Sequence, residues 1–548
     1  MLQKIREHER VILIWTFIMI LVVMGVFCLL RKNMKFTQYP KGTYYHFDPD
    51  ESKDDPLAYI GDDFEVLDGF HTNLPIVIMS LDSELPDYKT FRDATEILFD
   101  GVDAYTTGNL SVIDSGKGYN TPKDAHVYDS LVKVKRKGHS SYSYDKKQYK
   151  IKAVNPDGTS NKTDILGMGE GSEWIINGSM ADKSMIRNYL PYRIASEIDG
   201  NNMAPDSRYC EVMMEENGKL YYQGVFLLME TISQGEKRVN IDEYNPKNTY
   251  SSYIVRRDRK TSFDIMLNTY GREADIVKGR ESQATDNWIG LKYPGESKVT
   301  QETIDYITKD FSQIEKVLYT DDESLFRVYD RYIDMRSFAD YFLINEFFGN
   351  YDAGEHSTYM HKNSGDVLYM GPVWDYDQAL NNSQMEELNP DYLAFQTQTF
   401  FAELCDDKRF VRYLKKRYST LRAQELSEEH IYDVIDETVD YLRSAQTREW
   451  YRWAADYYDN SFESHTNYYL QPYLYKGVLL DRFNTDYQEE IYVIKNYIHH
   501  HGGAIQPELS GVLHAAKKDT TVGGIRELMF IAMITLVLLP SYLIQRKG

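Results

Sequence analysis

The chain has few cysteines and no excess of positive charge, and both shortages exclude classes of protein. Its 548 residues include only 3 cysteines, and their positions give neither a disulfide framework nor a metal-binding spacing. Two of them, Cys210 and Cys405, lie far apart in the sequence, and we expect both to be buried thiols. The 62 basic residues are outnumbered by 84 acidic ones, so the formal net charge is −22. Because phosphate backbones bind to basic surfaces, no nucleic acid is expected among the partners.

A cleavage site of small residues is missing after the first apolar segment. Residues 11–30 carry no charge and are long enough to span a bilayer, so they favour an uncleaved anchor over a removed signal peptide. Residues 528–544 are also free of charge but are short and contain Pro540, which fits either a second span or an interfacial helix or hydrophobic hairpin. Two spans would place both termini on one side of the cell membrane. Arg546 and Lys547 favour an extracytoplasmic position for the region between the spans, whereas Lys517, Lys518 and Arg526 favour the opposite orientation.

The apolar pattern predicts an α+β fold, because strand-like runs come first and helix-like runs come later. Strands are predicted at residues 74–80, 130–136, 148–154, 173–177, 208–214 and 221–229. Among them lies a helix pattern at 183–198, with Asp182 as its N-cap and Gly200 as its end. Later helices are predicted at 304–311, 325–332, 336–348, 398–450 and 476–500.

Three carboxylates in the second half have a spacing that suits phosphoryl transfer. Asp352 follows the helix pattern that ends at Gly349, and Asp375 and Asp377 come soon after, behind a short apolar run. If the last two lie on a strand, alternation places them on one face, which is unfavourable unless a cation or hydrogen-bond donors lie between them. One acid would orient an attacking hydroxyl while another binds Mg²⁺. The alternatives are an Asx turn at Asp352 and a neutralising Arg or Lys beside the pair.

Several local motifs follow one another along the chain: Gly138-His-Ser-Ser141 with Lys146-Lys-Gln-Tyr-Lys-Ile-Lys152, Leu166-Gly-Met168 with Trp174, Asp182-Lys-Ser-Met-Ile-Arg-Asn188, Gly224-Val-Phe-Leu-Leu-Met-Glu230, Asn350-Tyr-Asp352 and Gly371-Pro-Val-Trp-Asp-Tyr-Asp377. In this order they resemble those of the spore coat protein H (CotH) kinase family, whose members are atypical Ser/Thr protein kinases. The resemblance covers roughly residues 70–500 and implies a two-lobed, kinase-like fold with a strand-rich N-lobe at 71–232 and a helical C-lobe at 233–505. The composition outside the lobes predicts linkers at 33–70 and 506–525 and terminal transmembrane segments at 1–32 and 526–548.

The resemblance assigns roles to the acids of the second half. Asp352 corresponds to the acid that orients the substrate hydroxyl, and Asp375 to the metal-binding acid, with Asp377 as a further metal ligand. Ser357 stands where the family often has a metal-binding asparagine, and a hydroxyl can also bind Mg²⁺. The implied cofactors are ATP and Mg²⁺ or Mn²⁺. The implied acceptor is a Ser or Thr hydroxyl of a coat or cell-surface protein.

The same resemblance places ATP against the strand-rich half. Backbone N–H groups of the Gly/Ser loop can bind phosphate oxygens, and a lysine of the following strand can meet the phosphates as a point charge. An ordinary hairpin and a solvated strand face are the alternatives. The strand at 173–177, aligned with the usual lysine-bearing strand of kinases, has no lysine. The candidate contacts are Gly138, Ser140, Ser141, Lys147, Lys150, Lys152, Arg187 and Glu230.

Two other functions compete with a protein kinase. A catalytically weak pseudokinase or scaffold at the cell surface is favoured by Ser357 and by the scarcity of ATP outside cells. A kinase acting on a non-protein surface polymer is the other alternative, and no feature of the sequence tests it.

Overall fold

A computed structural model of the chain describes residues 55–85, 105–138, 141, 144–259, 265–273, 287–383, 391–459, 473–475, 478–480 and 483–521. Both predicted membrane segments, at 11–30 and 528–544, lie outside these ranges. Within them, no helix combines the length and the apolar character that crossing a bilayer requires.

The first half forms a closed barrel of seven strands, which confirms the strand-rich part of the α+β prediction. Its strands run in the spatial order β1-β2-β3-β4-β7-β9-β8, and β8 closes on β1 in parallel. The bounds are β1 Ile76–Leu81, β2 Thr106–Ile113, β3 His126–Arg136, β4 Tyr149–Val154, β7 Glu173–Asn177, β8 Ser207–Glu216 and β9 Lys219–Glu230, with a small ladder of β5 Thr163–Asp164 and β6 Glu170–Gly171 beside them.

Alternation along the strands fills the barrel interior, as expected from the period of two. On β4, Tyr149 and Ile151 are buried while Lys150 and Lys152 are partly exposed on the outer face. Cys210 of β8 lies in the barrel core, and Cys405 is buried in the second half, so both are the buried free thiols that were predicted.

The second half combines helices with a five-stranded sheet that the sequence did not predict. The sheet has the order β11-β12-β10-β13-β14. Its strands are β10 Tyr253–Arg259, β11 Ile265–Leu267, β12 Asn287–Tyr293, β13 Thr358–Lys362 and β14 Leu368–Met370, and a separate hairpin joins β15 Tyr473–Tyr475 to β16 Val478–Leu480. Charged residues such as Arg256 and Asp258 obscured the apolar pattern of β10, although most of that strand is buried.

Ten α-helices lie in the described ranges, and several agree with the predicted patterns. They are α1 Tyr189–Asp199, α2 Tyr270–Glu273, α3 Gln301–Leu318, α4 Glu323–Phe326, α5 Met335–Phe348, α6 Phe401–Cys405, α7 Lys408–Arg422, α8 Glu428–Arg452, α9 Ala454–Tyr457 and α10 Tyr487–Ala515. The helix predicted at 325–332 is wrong, since α4 is followed there only by a 3₁₀ turn. The helix predicted at 476–500 is correct only from Tyr487, because the hairpin precedes it.

The helix predicted at 183–198 begins later than expected, and Asp182 is not its N-cap. The helix α1 starts at Tyr189, and Gly200 ends it with φ 63°, as predicted. The Asp182 carboxylate instead accepts hydrogen bonds from the backbone N–H groups of Ser184 and Arg187, at 3.0 and 2.9 Å. These bonds hold the preceding residues in irregular turns, so tertiary contacts override the helical pattern there.

Buried ion pairs join the barrel to α8. Glu449 accepts hydrogen bonds from the Lys146 ammonium at 2.6 Å and from the Val225 backbone N–H at 2.7 Å. Its neighbour Arg448 makes two bonds of 2.8 Å to Glu211 of β8. All four charged side chains are less than 5% exposed. The strongly buried charges fix α8 against β8 and β9, because each would be costly without its partner.

Candidate functional site

Asp352 lies in the turn that follows α5. Gly349 closes the helix in a left-handed conformation, and its N–H bonds to carbonyls of the last turn. The carboxylate of Asp352 is therefore not needed to end the helix, which removes the main reason for the Asx-turn alternative. The backbone carbonyl of Asp352 accepts from the N–H groups of Glu355 and His356 at 3.2 and 2.8 Å, which orders the turn leading into β13.

Asp375 and Asp377 do not lie on a strand, so the predicted sharing of one strand face is wrong. The strand β14 ends at Met370, and residues 371–376 continue without regular secondary structure. Pro372 has no N–H for a ladder, and Asp375 adopts a left-handed φ of 65°. Such a conformation is unusual outside glycine and persists where the surroundings hold it.

Side chains from two helices hold the backbone around Asp375. Its N–H donates to the Tyr192 hydroxyl at 3.1 Å, and the N–H of Tyr376 donates to the Asn188 side-chain oxygen at 2.8 Å. From the other side, the amide of Asn350 donates to the Trp374 carbonyl at 3.2 Å. The start of α1 and the end of α5 thus fix the Asp375 segment relative to the turn that carries Asp352.

The three acids are close enough to influence one another. Burial raises the pKa of Asp377 well above its usual range, and repulsion from Asp375 and Asp352 adds to this, while the Lys137 ammonium opposes it. Burial, and then repulsion from Asp375, raises the pKa of Asp352 to about 7, against an opposing effect of Arg259. The structure therefore places the three carboxylates that the sequence singled out close enough to repel one another, and burial disfavours the charged forms of Asp352 and Asp377.

The oxygen ligands around Asp375 suit a divalent cation that arrives with phosphates. Ser357 donates its hydroxyl to Asp375 Oδ2 at 3.3 Å, so both oxygens could face one ion. Across the described ranges no ion pair joins Asp375 or Asp377 to a Lys or Arg, and no group of three or more His, Cys, Asp or Glu side chains could hold a metal. Mg²⁺ uses one or two carboxylates and completes its shell with water and substrate phosphates, so these residues fit it.

The three lysines predicted to contact the nucleotide lie near acidic side chains of the same chain. Lys150 and Lys152 both pair with Glu173 of β7, at 2.8 and 3.4 Å. Lys147 lies 4.0 Å from the Asp145 carboxylate and donates to the carbonyl of Tyr144. Each of the three lysines therefore already contacts an acidic side chain of its own chain.

The Gly/Ser loop follows β3. Gly138 has a φ of 120°, and a Cβ there would lie 1.9 Å from the Ser141 hydroxyl oxygen, so the position requires glycine. Ser141 is partly buried, and Ser140 lies outside the described residues. Gly138 thus has a backbone conformation that favours glycine, and the role of the loop towards phosphates stays a prediction.

Arg187 and Glu230 are buried and engaged inside the protein. The Arg187 guanidinium binds Asp182 at 2.7 Å and Glu490 of α10 at 3.1 Å, and it also donates to the Ala379 carbonyl at 3.1 Å. It thereby braces the segment just after Asp377. Glu230 is the last residue of β9, and its carboxylate lies 3.4 Å from the Arg238 guanidinium. Burial raises the pKa of Glu230 to about 8.

Three residues of the site were not predicted from the sequence: Lys137, Asn188 and Tyr192. The Lys137 ammonium lies 5.5 Å from the centroid of the Trp374 ring, next to the Asp375 segment. The sequence signal for Lys137 was its position directly before Gly138. Asn188 and Tyr192 act only on backbone groups distant in sequence, and no local pattern marks such contacts.

The raised pKa of Asp352 leads to a test on stability. The folded chain keeps a proton on Asp352 that the unfolded chain releases between about pH 4 and 7, so ionisation of Asp352 costs stability as pH rises through this window. We expect Asp352→Asn to raise the melting temperature at about pH 8, and this gain to shrink towards about pH 4.5. Thermal melting of both proteins across that range measures it, and a gain that does not change with pH would contradict the assigned pKa.

Comparison with known proteins shows which family the chain belongs to. No curated protein matches the chain. The family model described as CotH kinase protein matches residues 134–502, which is most of the sequence and includes the three acids and the loop at Gly138. The resemblance found in the sequence motifs is thereby confirmed, and the chain belongs to the CotH kinase protein family.

Proposed function

We propose that this protein is a membrane-anchored, CotH-like atypical kinase that transfers the γ-phosphate of ATP to a Ser or Thr hydroxyl of a coat or cell-surface protein. The observation that carries the proposal is that Asp352, Asp375 and Asp377 lie close enough to repel one another, with the Ser357 hydroxyl 3.3 Å from Asp375. Membership of a kinase family supports ATP and a divalent metal as the cofactors. A strand-rich lobe for the nucleotide and a helical lobe for the acids complete the proposed kinase-like arrangement.

In the proposed mechanism, each acid has its own task. Asp375, with Asp377 and Ser357, would hold Mg²⁺ or Mn²⁺, which neutralises charge that develops on the transferred phosphoryl group. Asp352 accepts a hydrogen bond from the acceptor hydroxyl and aligns its oxygen for in-line attack. Asn188 and Tyr192 fix the Asp375 backbone, so the ligand oxygens need little rearrangement when the substrate binds.

The electrostatics of Asp352 also fit this role. A carboxylate whose pKa is about 7 is a better proton acceptor near neutral pH than an ordinary aspartate. A cation on Asp375 would remove the repulsion from that side chain and lower the pKa of Asp352. We therefore expect the rate of transfer to rise with pH to a plateau that begins below pH 7 when the metal is saturating. Initial rates measured across pH at two metal concentrations check this, and a rate that falls as pH rises through this range would contradict it.

The membrane anchor is proposed on the sequence of residues 11–30 and 528–544 alone. Two spans with cytoplasmic termini would place the kinase on the extracytoplasmic side of the cell membrane, where coat and surface proteins are accessible. Exposure of intact cells to a protease tests this arrangement. The segment between the two spans should be digested from outside, whereas protection of that segment would place it in the cytoplasm.

The activity itself is tested by incubating the full chain with labelled ATP, a series of divalent metals and a mixed protein acceptor. Transfer of label to Ser or Thr that depends on Mg²⁺ or Mn²⁺ supports the proposal. Absence of transfer to protein or water with every metal, in a chain that is folded, would contradict it.

A pseudokinase or scaffold is the second candidate, and Ser357 favours it because asparagine often occupies this position in the family. The two functions differ in nucleotide binding, since a ligand that binds the folded state raises its melting temperature. An active kinase should be stabilised by ATP only when the metal is present. A chain whose melting temperature does not respond to ATP with either metal would be assigned as a scaffold.

A further inference from the structure

Lys137 differs from the other lysines around the barrel in what surrounds it. Lys147, Lys150 and Lys152 each lie within 4.0 Å of a carboxylate of their own chain. Within the described part of the chain, no carboxylate lies at ion-pair distance from the Lys137 ammonium. Its polar contact is with the neutral side-chain oxygen of Gln148 at 3.5 Å, a weak bond.

The backbone fixes Lys137 at the edge of the site. Its N–H donates to the Gln148 carbonyl at 2.8 Å, which extends the β3–β4 pairing to the residue before Gly138. Its ammonium lies 5.5 Å from the centre of the Trp374 ring, and Trp374 directly precedes Asp375. The side chain therefore reaches from the barrel to the segment that carries the proposed metal ligands.

The charge balance of the site calls for a cation at this position. A triphosphate is strongly negative, and a divalent metal neutralises only part of its charge. The three acids beside it would repel the remaining charge. Lysine is well suited to such a task, as a flexible point charge that can follow the phosphates.

We propose that Lys137 is the residue that contacts the terminal phosphates of the bound nucleotide. Without nucleotide, its ammonium lies near the Trp374 ring. This inference rests on the proposed function. It assigns the phosphate contact to Lys137 and not to Lys150 or Lys152 of β4. The ammonium lies 5.5 Å from the centroid of the buried Trp374 ring, near the outer limit of a cation–π contact, so it can leave the ring at modest cost.

The test compares Lys137→Met with Lys133→Met in the full chain. Lys133 lies on β3, the strand that leads into Lys137, and its removal changes the net charge equally. Binding of ATP and of adenosine is measured by titration calorimetry with Mg²⁺ present. We expect Lys137→Met to weaken ATP binding about 10- to 100-fold, the effect of losing a charge-assisted hydrogen bond, and to leave adenosine binding unchanged. Lys137→Arg should restore part of the loss, because it restores the charge.

The outcomes separate this inference from the proposed function. If the unmodified chain binds ATP and Lys137→Met binds it equally well, the inference is overturned while the kinase proposal stands. Equal weakening of ATP and adenosine would also overturn it, since that result indicates a structural role. An unmodified chain that does not bind ATP would overturn both proposals.

Discussion

Asp375→Asn is expected to lower phosphotransfer roughly 1,000-fold, the size of effect seen when one group that stabilises transition-state charge is removed. The substitution keeps the shape of the side chain and replaces a carboxylate oxygen that would bind the metal. It also replaces the carboxylate that accepts the Ser357 hydroxyl at 3.3 Å with a neutral amide. We therefore expect the metal dependence of ATP binding to be lost together with the activity. Initial rates and ATP titrations with and without Mg²⁺ measure both effects.

Two further variants show whether the loss is specific to Asp375. Asp352→Asn should reduce turnover strongly but preserve metal-dependent ATP binding, because Asp352 is proposed to act on the acceptor hydroxyl. Asp366→Asn is the matched control, since Asp366 lies exposed in the turn between β13 and β14 and should leave both properties intact. Transfer by Asp375→Asn at the rate of the unmodified protein would show that the metal assignment is wrong.

Glu449→Gln should produce the largest loss of stability, about 3–5 kcal/mol, as expected when one partner of a buried ion pair loses its charge. Glu449 is fully buried and binds the Lys146 ammonium, the Val225 N–H and the Tyr457 hydroxyl. Burial lowers the pKa of Lys146, and the charge of Glu449 opposes this effect. Without that charge, the ammonium must stay buried unpaired or lose its proton. The melting temperature of the variant measures the loss.

A double variant and a control on the same helix make this test specific. Lys146→Met combined with Glu449→Gln should be less destabilising than the sum of the two single changes, because the residues interact directly. Asp436→Asn on α8 removes a surface pair with Lys495 of α10 and should cost less than about 1 kcal/mol. If Glu449→Gln cost no more than Asp436→Asn, the pair would not stabilise the contact between barrel and helix.

Much of the barrel could be predicted from the sequence because its strands alternate apolar and polar residues in a local pattern. The pattern on β4 directly separates the buried Tyr149 and Ile151 from the outward lysines. The start of α1 could not be predicted in this way. The Arg187 side chain binds both Asp182 and Glu490, the latter about 300 residues away in the chain, and these contacts decide the backbone there.

The site shows the same division between local and distant causes. The three acids were found because their residue type and order along the chain carry the chemistry. Their arrangement was predicted wrongly, since Asp375 lies in a left-handed turn held by Asn188 and Tyr192 rather than on a strand. Lys137 was overlooked because its closeness to Trp374 arises from the packing of the barrel against the second half. The sequence thus predicted which acids matter, while packing decides how they are held.

The most direct test of the account is to locate the metal. Crystals of the protein grown with Mn²⁺ and a non-hydrolysable ATP analogue would show the ion by its anomalous scattering. We predict one strong peak at about 2.1–2.2 Å from a carboxylate oxygen of Asp375, bridging to the phosphates, close to the distance that Mg²⁺ would take. A nucleotide bound with its metal away from Asp375 and Asp377, or acids that each turn to a basic neighbour, would contradict the central claim.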